Sequence, residues 1–311
     1  MGRQGPDRRE SSQRQCRARS SSSLEVLKVG LGLPNADKSL HSGRLLVEIA
    51  RRAEDLGFSS LATLGRIAYP SYDELVTLGA AAAVTERIGL MTDVLLAPAR
   101  EPILLARQAA TLDQLSGGRF VLGIGVGARP DDFAVTGFNF KDRGKRLDAA
   151  LDLMHRAWRG EPVPGTDKPV TPRPVNGHSV PLMIGGRADR SIDRVVKYGI
   201  GYTQGGGNPE GLKAMMDRVS AAWNAAGRSG KPEFRALAYF ALGDEVHQEA
   251  QSNVMDYYDD WGDGVWKGAV KNADEARQRV KAYQEVGCDE LLLFMTAPAV
   301  AQAERLAEAV L

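Results

Sequence analysis

The chain holds only two cysteines, Cys16 and Cys288, four histidines and 6% aromatic residues in 311 positions. Each shortage excludes something. One thiol lies in a polar terminus and the other before an apolar run, so no disulfide framework is expected and a reducing cytoplasm is the expected setting. The histidines are His41, His155, His178 and His247, and two of them, His155 and His247, fall in helical stretches. That leaves too few imidazoles for zinc ligation or a histidine-centred proton relay, and no metal site is expected. No apolar run approaches the roughly 20 residues that span a bilayer. Net charge is also scarce: 40 Lys and Arg against 39 Asp and Glu leave +1, which offers nucleic acid or an anionic membrane no electrostatic handle.

What is present is glycine, 34 residues of it, and 43% hydrophobic residues, enough for one large α/β unit. Residues 1–23 stand apart. Six arginines (Arg3, Arg8, Arg9, Arg14, Arg17, Arg19) against Asp7 and Glu10 make this piece +4, a serine run follows, and almost nothing apolar offsets the entropy of ordering. A disordered basic tail is expected there, followed by one domain over residues 24–311.

The domain is organised around Ile88 to Phe133. Apolar, β-branched runs at Ile88–Leu96 and Phe120–Ile124 have the composition of strands buried on both faces of a parallel sheet. Between them Ile103, Leu104, Ala106, Arg107, Ala110, Thr111 and Leu115 recur at helical spacing, with Pro102 at the helix start and Ser116-Gly117-Gly118 as the stop. The same alternation fills the rest of the domain. Strands are expected at Val26–Gly32, Ser59–Leu64, Leu182–Ile184, Ile200–Gln204, Arg235–Leu242 and Glu290–Phe294. Helices are expected at Leu45–Leu56, Tyr72–Val84, Arg146–Trp158, Asp189–Tyr198, Pro209–Ala226 and Val300–Leu311, with two more after the seventh strand separated around Gly262–Gly268. Eight strands each followed by a helix is the count of a (β/α)8 TIM barrel, whose closure leaves no sheet edge. An open doubly wound sheet would want a glycine fingerprint after its first strand, and Gly32-Leu33-Pro34-Asn35 is none.

A barrel places its chemistry at the carboxyl ends of its strands. Those positions contain no Ser-His-Asp order, paired acids or catalytic lysine, so the chemistry is expected to belong to a cofactor, and an aldolase or isomerase is disfavoured. Gly185-Gly186-Arg187-Ala188-Asp189-Arg190 leads a strand into a helix, an arrangement that lets backbone N–H groups and arginine meet an anion. Gly205-Gly206-Gly207-Asn208 repeats it one unit later. Glycines also simply permit tight turns, but two such clusters at adjacent strand ends make one phosphate pocket.

The segment ARQAATLDQLSGGRFVLGIGVG (Ala106–Gly127), with Asp131-Asp132-Phe133, Gly137 and the Arg143–Arg146 cluster after it, resembles the signature of the bacterial luciferase-like flavin-dependent oxidoreductases, and the order of elements extends the resemblance over most of Val26–Leu311. The resemblance implies a luciferase-like TIM barrel with an insertion, here Pro162–Pro181, before strand 5 that serves as a lid or hairpin. It implies a flavin phosphate held at Gly186, Arg187 and Arg190 and at Thr203 and Gln204, beside Gly185, Gly205 and Gly206. It also implies a cis-peptide bulge within Met91–Val94, placing Thr92 and Asp93 behind the flavin ring, with Gly127 in the strand-4 loop. Two departures stand out: Val126 replaces a phosphate-binding arginine, and Gly65-Arg66 replaces an Asp-His pair. Arg66, Tyr69 and Arg129 remain as candidates for substrate anions, while Asp131, Asp132 and the Arg143–Arg146 cluster read better as ion pairs and helix caps. The implied activity is a monooxygenase using reduced FMN, supplied by a partner reductase, on a small organic substrate. The alternatives are hydride transfer with the 8-hydroxy-5-deazaflavin coenzyme and a flavin-binding protein without turnover. A homodimer through the Ala80–Ala83 and Leu104–Leu115 helices is expected.

Overall fold

The computed structural model describes residues 26–311. The expectation of a disordered basic tail falls on residues outside this range, as does Cys16.

Eight strand positions form a closed parallel barrel: β1 Lys28–Gly32, β2 Ser60–Thr63, β3 in two segments, Gly89–Thr92 and Leu95–Leu96, β4 Phe120–Gly125, β5 Leu182–Gly185, β6 Gly201–Gln204, β7 Glu233–Phe240 and β8 Glu290–Met295. All pairings are parallel, and β3 to β4 and β8 to β1 close the ring. The ring helices are α1 Gly43–Leu56, α2 Glu74–Ala82, α3 Pro102–Leu115, α4 Arg143–Arg159, α5 Asp189–Tyr198 and α6 Pro209–Ala225. After β7 the chain first makes α7 His247–Tyr258 and a short helix Gly262–Lys267. It then returns through α8 Ala273–Glu285, and α9 Val300–Val310 closes the chain.

Local signals account for most boundaries. Ser42 caps α1 through Arg44 N–H, and Gly57 ends it at φ +94°, a conformation that a side chain would strain. Asp73 caps α2 by accepting from two backbone N–H groups, which starts that helix two residues later than the periodicity suggests. Apolar helix faces pack on the outside of the barrel: Leu46, Ile49 and Ala53 from α1, and Leu147, Leu151, Met154 and Trp158 from α4, all buried. Trp158 also donates its indole N–H to the Ala106 carbonyl at 2.9 Å, so its burial leaves no polar atom unpaired.

The barrel interior is a separate cluster of Ala62, Met91, Met183, Leu237, Tyr239, Leu292 and Phe294. At its amino end Arg235 and Glu290 form an ion pair at 3.0 Å, and Ser59 and Ser60 each donate to the same Glu290 oxygen at 2.6 Å. A buried pair with its lone pairs satisfied in this way is tolerable inside a barrel.

Three expectations are corrected. The gap around Gly262–Gly268 is itself helical, because only Gly268 of that stretch lies beyond the short helix. The helix expected from Arg146 starts at Arg143, directly after a one-turn segment Phe140–Asp142. The Pro162–Pro181 insertion is no lid. Its Val175 N–H donates to Asp113 and its Arg173 carbonyl accepts from Gln114, both at the carboxyl end of α3, so it packs at the amino end of the barrel, away from the strands' carboxyl ends.

Candidate functional site

At the carboxyl ends of the strands lies a cleft of about 340 Å³. Its floor follows from the break in β3. Register with β4 passes from Met91↔Val121 to Leu95↔Ile124, so the offset falls from 30 to 29 and β3 holds one extra residue. The bulge contains a cis peptide at Asp93–Val94, within the stretch where the resemblance implied one. Val94 rises between two glycines. A methyl on Gly125 would come within 2.8 Å of one Val94 methyl, and a methyl on Gly185 within 3.2 Å of the other. Glycine is thus needed at both positions for the bulge to sit there.

Asp93 is nearly fully buried, with one carboxylate oxygen accepting from Thr203 Oγ1 at 2.7 Å and the other without a partner. Burial pushes its carboxyl up to about 7, against the opposing effects of the Thr203 hydroxyl and Arg235. Behind Gly65, Glu74 is also raised to about 7 by burial; Arg100 at 2.6 Å opposes this and reaches only one of its oxygens. Both carboxyls are thus brought into the neutral range, where a proton can be taken up or released.

One end of the cleft is rich in glycine. Gly185, Gly186, Arg187, Gln204 and Gly205 line it. Gly186 has φ +127° and Gly207 φ +119°, conformations that side chains rarely adopt. The α5 helix opens here with no side chain capping it, whereas Asn208 caps the neighbouring α6. Arg187 makes no ion pair among the described residues, and Gln204 keeps a buried amide oxygen unpaired. An uncapped helix start, a bare backbone and an uncommitted arginine together suit an anion such as a phosphate.

The other end is aromatic and is roofed by the excursion after β7: Tyr257, Tyr258 and Trp261 line it. Burial raises both tyrosine hydroxyls, so they stay neutral donors. Arg129 reaches this roof, donating to the Tyr257 carbonyl at 2.6 Å and pairing with Asp259 at 3.1 Å. Arg66 pairs with Asp131 at 2.6 Å and Asp132 at 3.7 Å, while Asp132 also accepts from the N–H groups of Ile67 and Ala68.

The structure therefore gathers Arg66, Asp93, Gly127, Arg129, Gly185, Gly186, Arg187, Gln204 and Gly205 around one cleft. It directs five others elsewhere. Thr92 donates to the Gly123 carbonyl, Thr203 to Asp93 and Tyr69 to Asp256. Arg190 pairs with Asp193 in solvent, and Gly206 lies outside the lining. The Asp131-Asp132 pair serves as an ion pair, but to Arg66 in the strand-2 loop rather than to the following helix. Arg143 and Arg146 donate to the carbonyls of Gly127 and Pro98 and stack on Phe140 and Phe138. Sequence reasoning missed Tyr257, Tyr258 and Trp261. Three aromatics within five residues of a chain with 6% aromatics was the signal that could have found them.

The luciferase-like monooxygenase family model matches residues 29–309. An uncharacterized protein of Mycobacterium tuberculosis is 29% identical over 223 residues, covering 62% of this chain and 76% of that protein. The 4-hydroxyprotoasukamycin monooxygenase of Streptomyces nodosus subsp. asukaensis is 28% identical over 235 residues, 69% of this chain and 62% of that protein. Among solved structures, an F420-dependent secondary alcohol dehydrogenase in complex with an F420-acetone adduct superposes with a TM-score of 0.74 at 19% identity, covering 91% of this chain and 98% of that one. The FMN-bound oxygenating constituent of 3,6-diketocamphane monooxygenase from Pseudomonas putida superposes with a TM-score of 0.71 at 17% identity, covering 92% and 99%. With the barrel, the bulge in β3 and a family match over nearly the whole described chain, this protein belongs to the luciferase-like monooxygenase family.

Proposed function

We propose that the protein is a flavin-dependent monooxygenase that takes reduced FMN from a separate reductase and oxygenates a small organic substrate. The observation that carries this reading is the pairing of the Val94 floor with an anion-suited end two strands further round the barrel. A flat ring fits over Val94, and a phosphate fits at the α5 start beside Gly186, Gly205 and Arg187. When bound, reduced flavin would supply the electrons that activate oxygen. The residues do the rest. The Asp93–Val94 bulge supports one ring face, the aromatic roof excludes water, and Asp93 holds or releases a proton at its unpaired oxygen.

A cofactor with a polyanionic tail would want several free cations at the mouth. Of the three arginines lining the cleft, Arg187 alone stands at the glycine-rich end, which favours the singly phosphorylated FMN. The similarity to an F420-dependent dehydrogenase supports a second reading, hydride transfer with a deazaflavin. Anaerobic titration with reduced FMN, riboflavin and the deazaflavin, followed by flavin fluorescence, separates these. Arg187→Gln is expected to weaken FMN roughly tenfold or more, as loss of a charge-assisted contact does, and to leave riboflavin unchanged. Equal loss for both ligands, or no FMN binding at all, would remove the phosphate assignment.

The homodimer remains part of this proposal. Val76 on α2 and Leu104 and Leu115 on α3 are exposed, and α2 and α3 are neighbours in the ring. Covering such side chains is a strong reason to associate. Val76→Glu with Leu104→Glu is expected to convert a dimer to a monomer in sedimentation experiments at micromolar concentration; a wild-type monomer would end the idea. No described helix is long and apolar enough to cross a membrane, and the buried thiol of Cys288 suits the reducing cytoplasm that we assign.

A further inference from the structure

The three arginines of the cleft are held in different ways. Arg66 is locked, because one of its partners, Asp132, is itself almost wholly buried and anchored by two backbone N–H groups. Arg187 stands at the glycine-rich end. Arg129 is the one whose carboxylate partner is exchangeable: Asp259 is 72% exposed. An ion pair with so solvated a partner is worth little, so another carboxylate of comparable geometry competes on nearly equal terms. Asp259 also has φ +49°, the only positive φ outside glycine among the described residues, so its backbone gains little from staying where it is.

The surroundings of Arg129 specify what else such a ligand must carry. Its guanidinium lies 5.5 Å from the Tyr257 ring centre, 5.8 Å from Tyr258 and 5.6 Å from Trp261. Tyr258, Trp261 and Leu237 present apolar and aromatic surface to the cleft, and Trp261 is 58% exposed although large and hydrophobic. A ring laid against Trp261 would cover that surface, while its carboxylate would meet the planar fork of Arg129.

We infer that the substrate class is an aromatic carboxylate, with Arg129 as the residue that binds its carboxylate in exchange for Asp259 and Trp261 as the face on which its ring lies. That the ligand is a substrate rests on the flavin monooxygenase reading above; that it binds at Arg129 does not. The unreactive probe is benzoate, with benzyl alcohol as its uncharged analogue, titrated into the full chain with and without FMN and followed by tryptophan fluorescence.

Saturable quenching by benzoate is expected, with benzyl alcohol roughly tenfold weaker or worse, the usual worth of a charge-assisted pair. Arg129→Gln, with an unchanged circular dichroism spectrum, should weaken benzoate by a similar factor and leave benzyl alcohol as it was. Asp259→Asn should do the opposite, tightening benzoate about two- to fivefold, the range set by an exposed ion pair. Trp261→Phe should remove most of the signal, and Arg187→Gln should leave benzoate affinity unchanged. Equal affinity for the two probes, weaker benzoate binding in Asp259→Asn, or dependence on Arg187 in place of Arg129 would each overturn the inference. Benzoate binding through Arg129 in a protein that binds no FMN would support the ligand assignment and overturn the flavin reading alone.

Discussion

Asp93→Asn is expected to stabilise the protein, and by an amount that depends on pH. In the native state burial raises the Asp93 carboxyl to about 7, while its ordinary value is 3.8. Between those two values the folded chain keeps a proton that the unfolded chain has released. Native stability therefore falls as pH rises from about 4 to about 7, and is level above that. Asparagine carries no charge to desolvate and can still accept the Thr203 hydroxyl at its amide oxygen. The gain should be near zero at pH 3.5 and about 1–2 kcal/mol at pH 5. It should level off at about 4 kcal/mol by pH 8, following about 1.4 kcal/mol per unit of pKa difference. Urea unfolding at the three pH values checks it, and a gain independent of pH would show that the Asp93 carboxyl is not held protonated. The same substitution removes the proton-holding group beneath the proposed flavin ring. Lower activity together with higher stability is the pattern of a site that retains a costly group for use.

Gly123→Ala is expected to be strongly destabilising. A Cβ on Gly123 would overlap the carbonyl oxygen of Thr92, and it would also lie 3.0 Å from the Met91 side chain. A backbone oxygen cannot rotate away, so the bulge and β4 must separate, which costs about 3 kcal/mol or more by comparison with overpacked cores. The separation also breaks the Thr92 hydroxyl bond to the Gly123 carbonyl, 2.7 Å in the native state, and shifts Asp93 and Val94 with it. FMN affinity should fall along with the unfolding midpoint. The control is Gly79→Ala in α2, where a methyl meets nothing within 4 Å. There the helix gains about 0.5–1 kcal/mol from the alanine, so the two substitutions should move the midpoint in opposite directions. A neutral Gly123→Ala would mean that the bulge is not held against β4 as described.

Much of the barrel was legible without coordinates because its signals are local. Continuous apolar runs marked the buried strands, Pro102 and Pro209 marked helix starts, and Gly57 and Ser116-Gly117-Gly118 marked stops, all within a few residues of the boundaries observed. The glycine pairs at the ends of β5 and β6 were legible for the same reason. A strand end followed at once by glycine and a helix is a pattern of adjacent residues, and closure of the barrel brings successive strand ends together.

The pairings inside the cleft were not legible, because each joins residues far apart in the chain. Thr203 was expected to face a phosphate, but its hydroxyl meets Asp93, 110 residues away. Arg129 and the Tyr257 carbonyl are separated by 128 positions, and the extra helices after β7 were legible in sequence while their place as a roof over the cleft was not. The proline-rich insertion was placed correctly in sequence, but its composition suited a lid and an inert surface loop alike. Only the bonds from Val175 and Arg173 to the end of α3 decide which end of the barrel it covers.

The sequence by itself determined the closed barrel, the family and the strand ends where chemistry can occur, since periodicity and turn chemistry act over a few residues and alternate strictly along the chain. Tertiary structure alone decided which polar groups there are spent on one another and which are left over. That division depends on burial and on partners across the barrel, and it is why Asp93 is left with a raised carboxyl and an unpaired oxygen, Arg187 without an ion pair among the described residues, and Arg129 with a partner that water can displace.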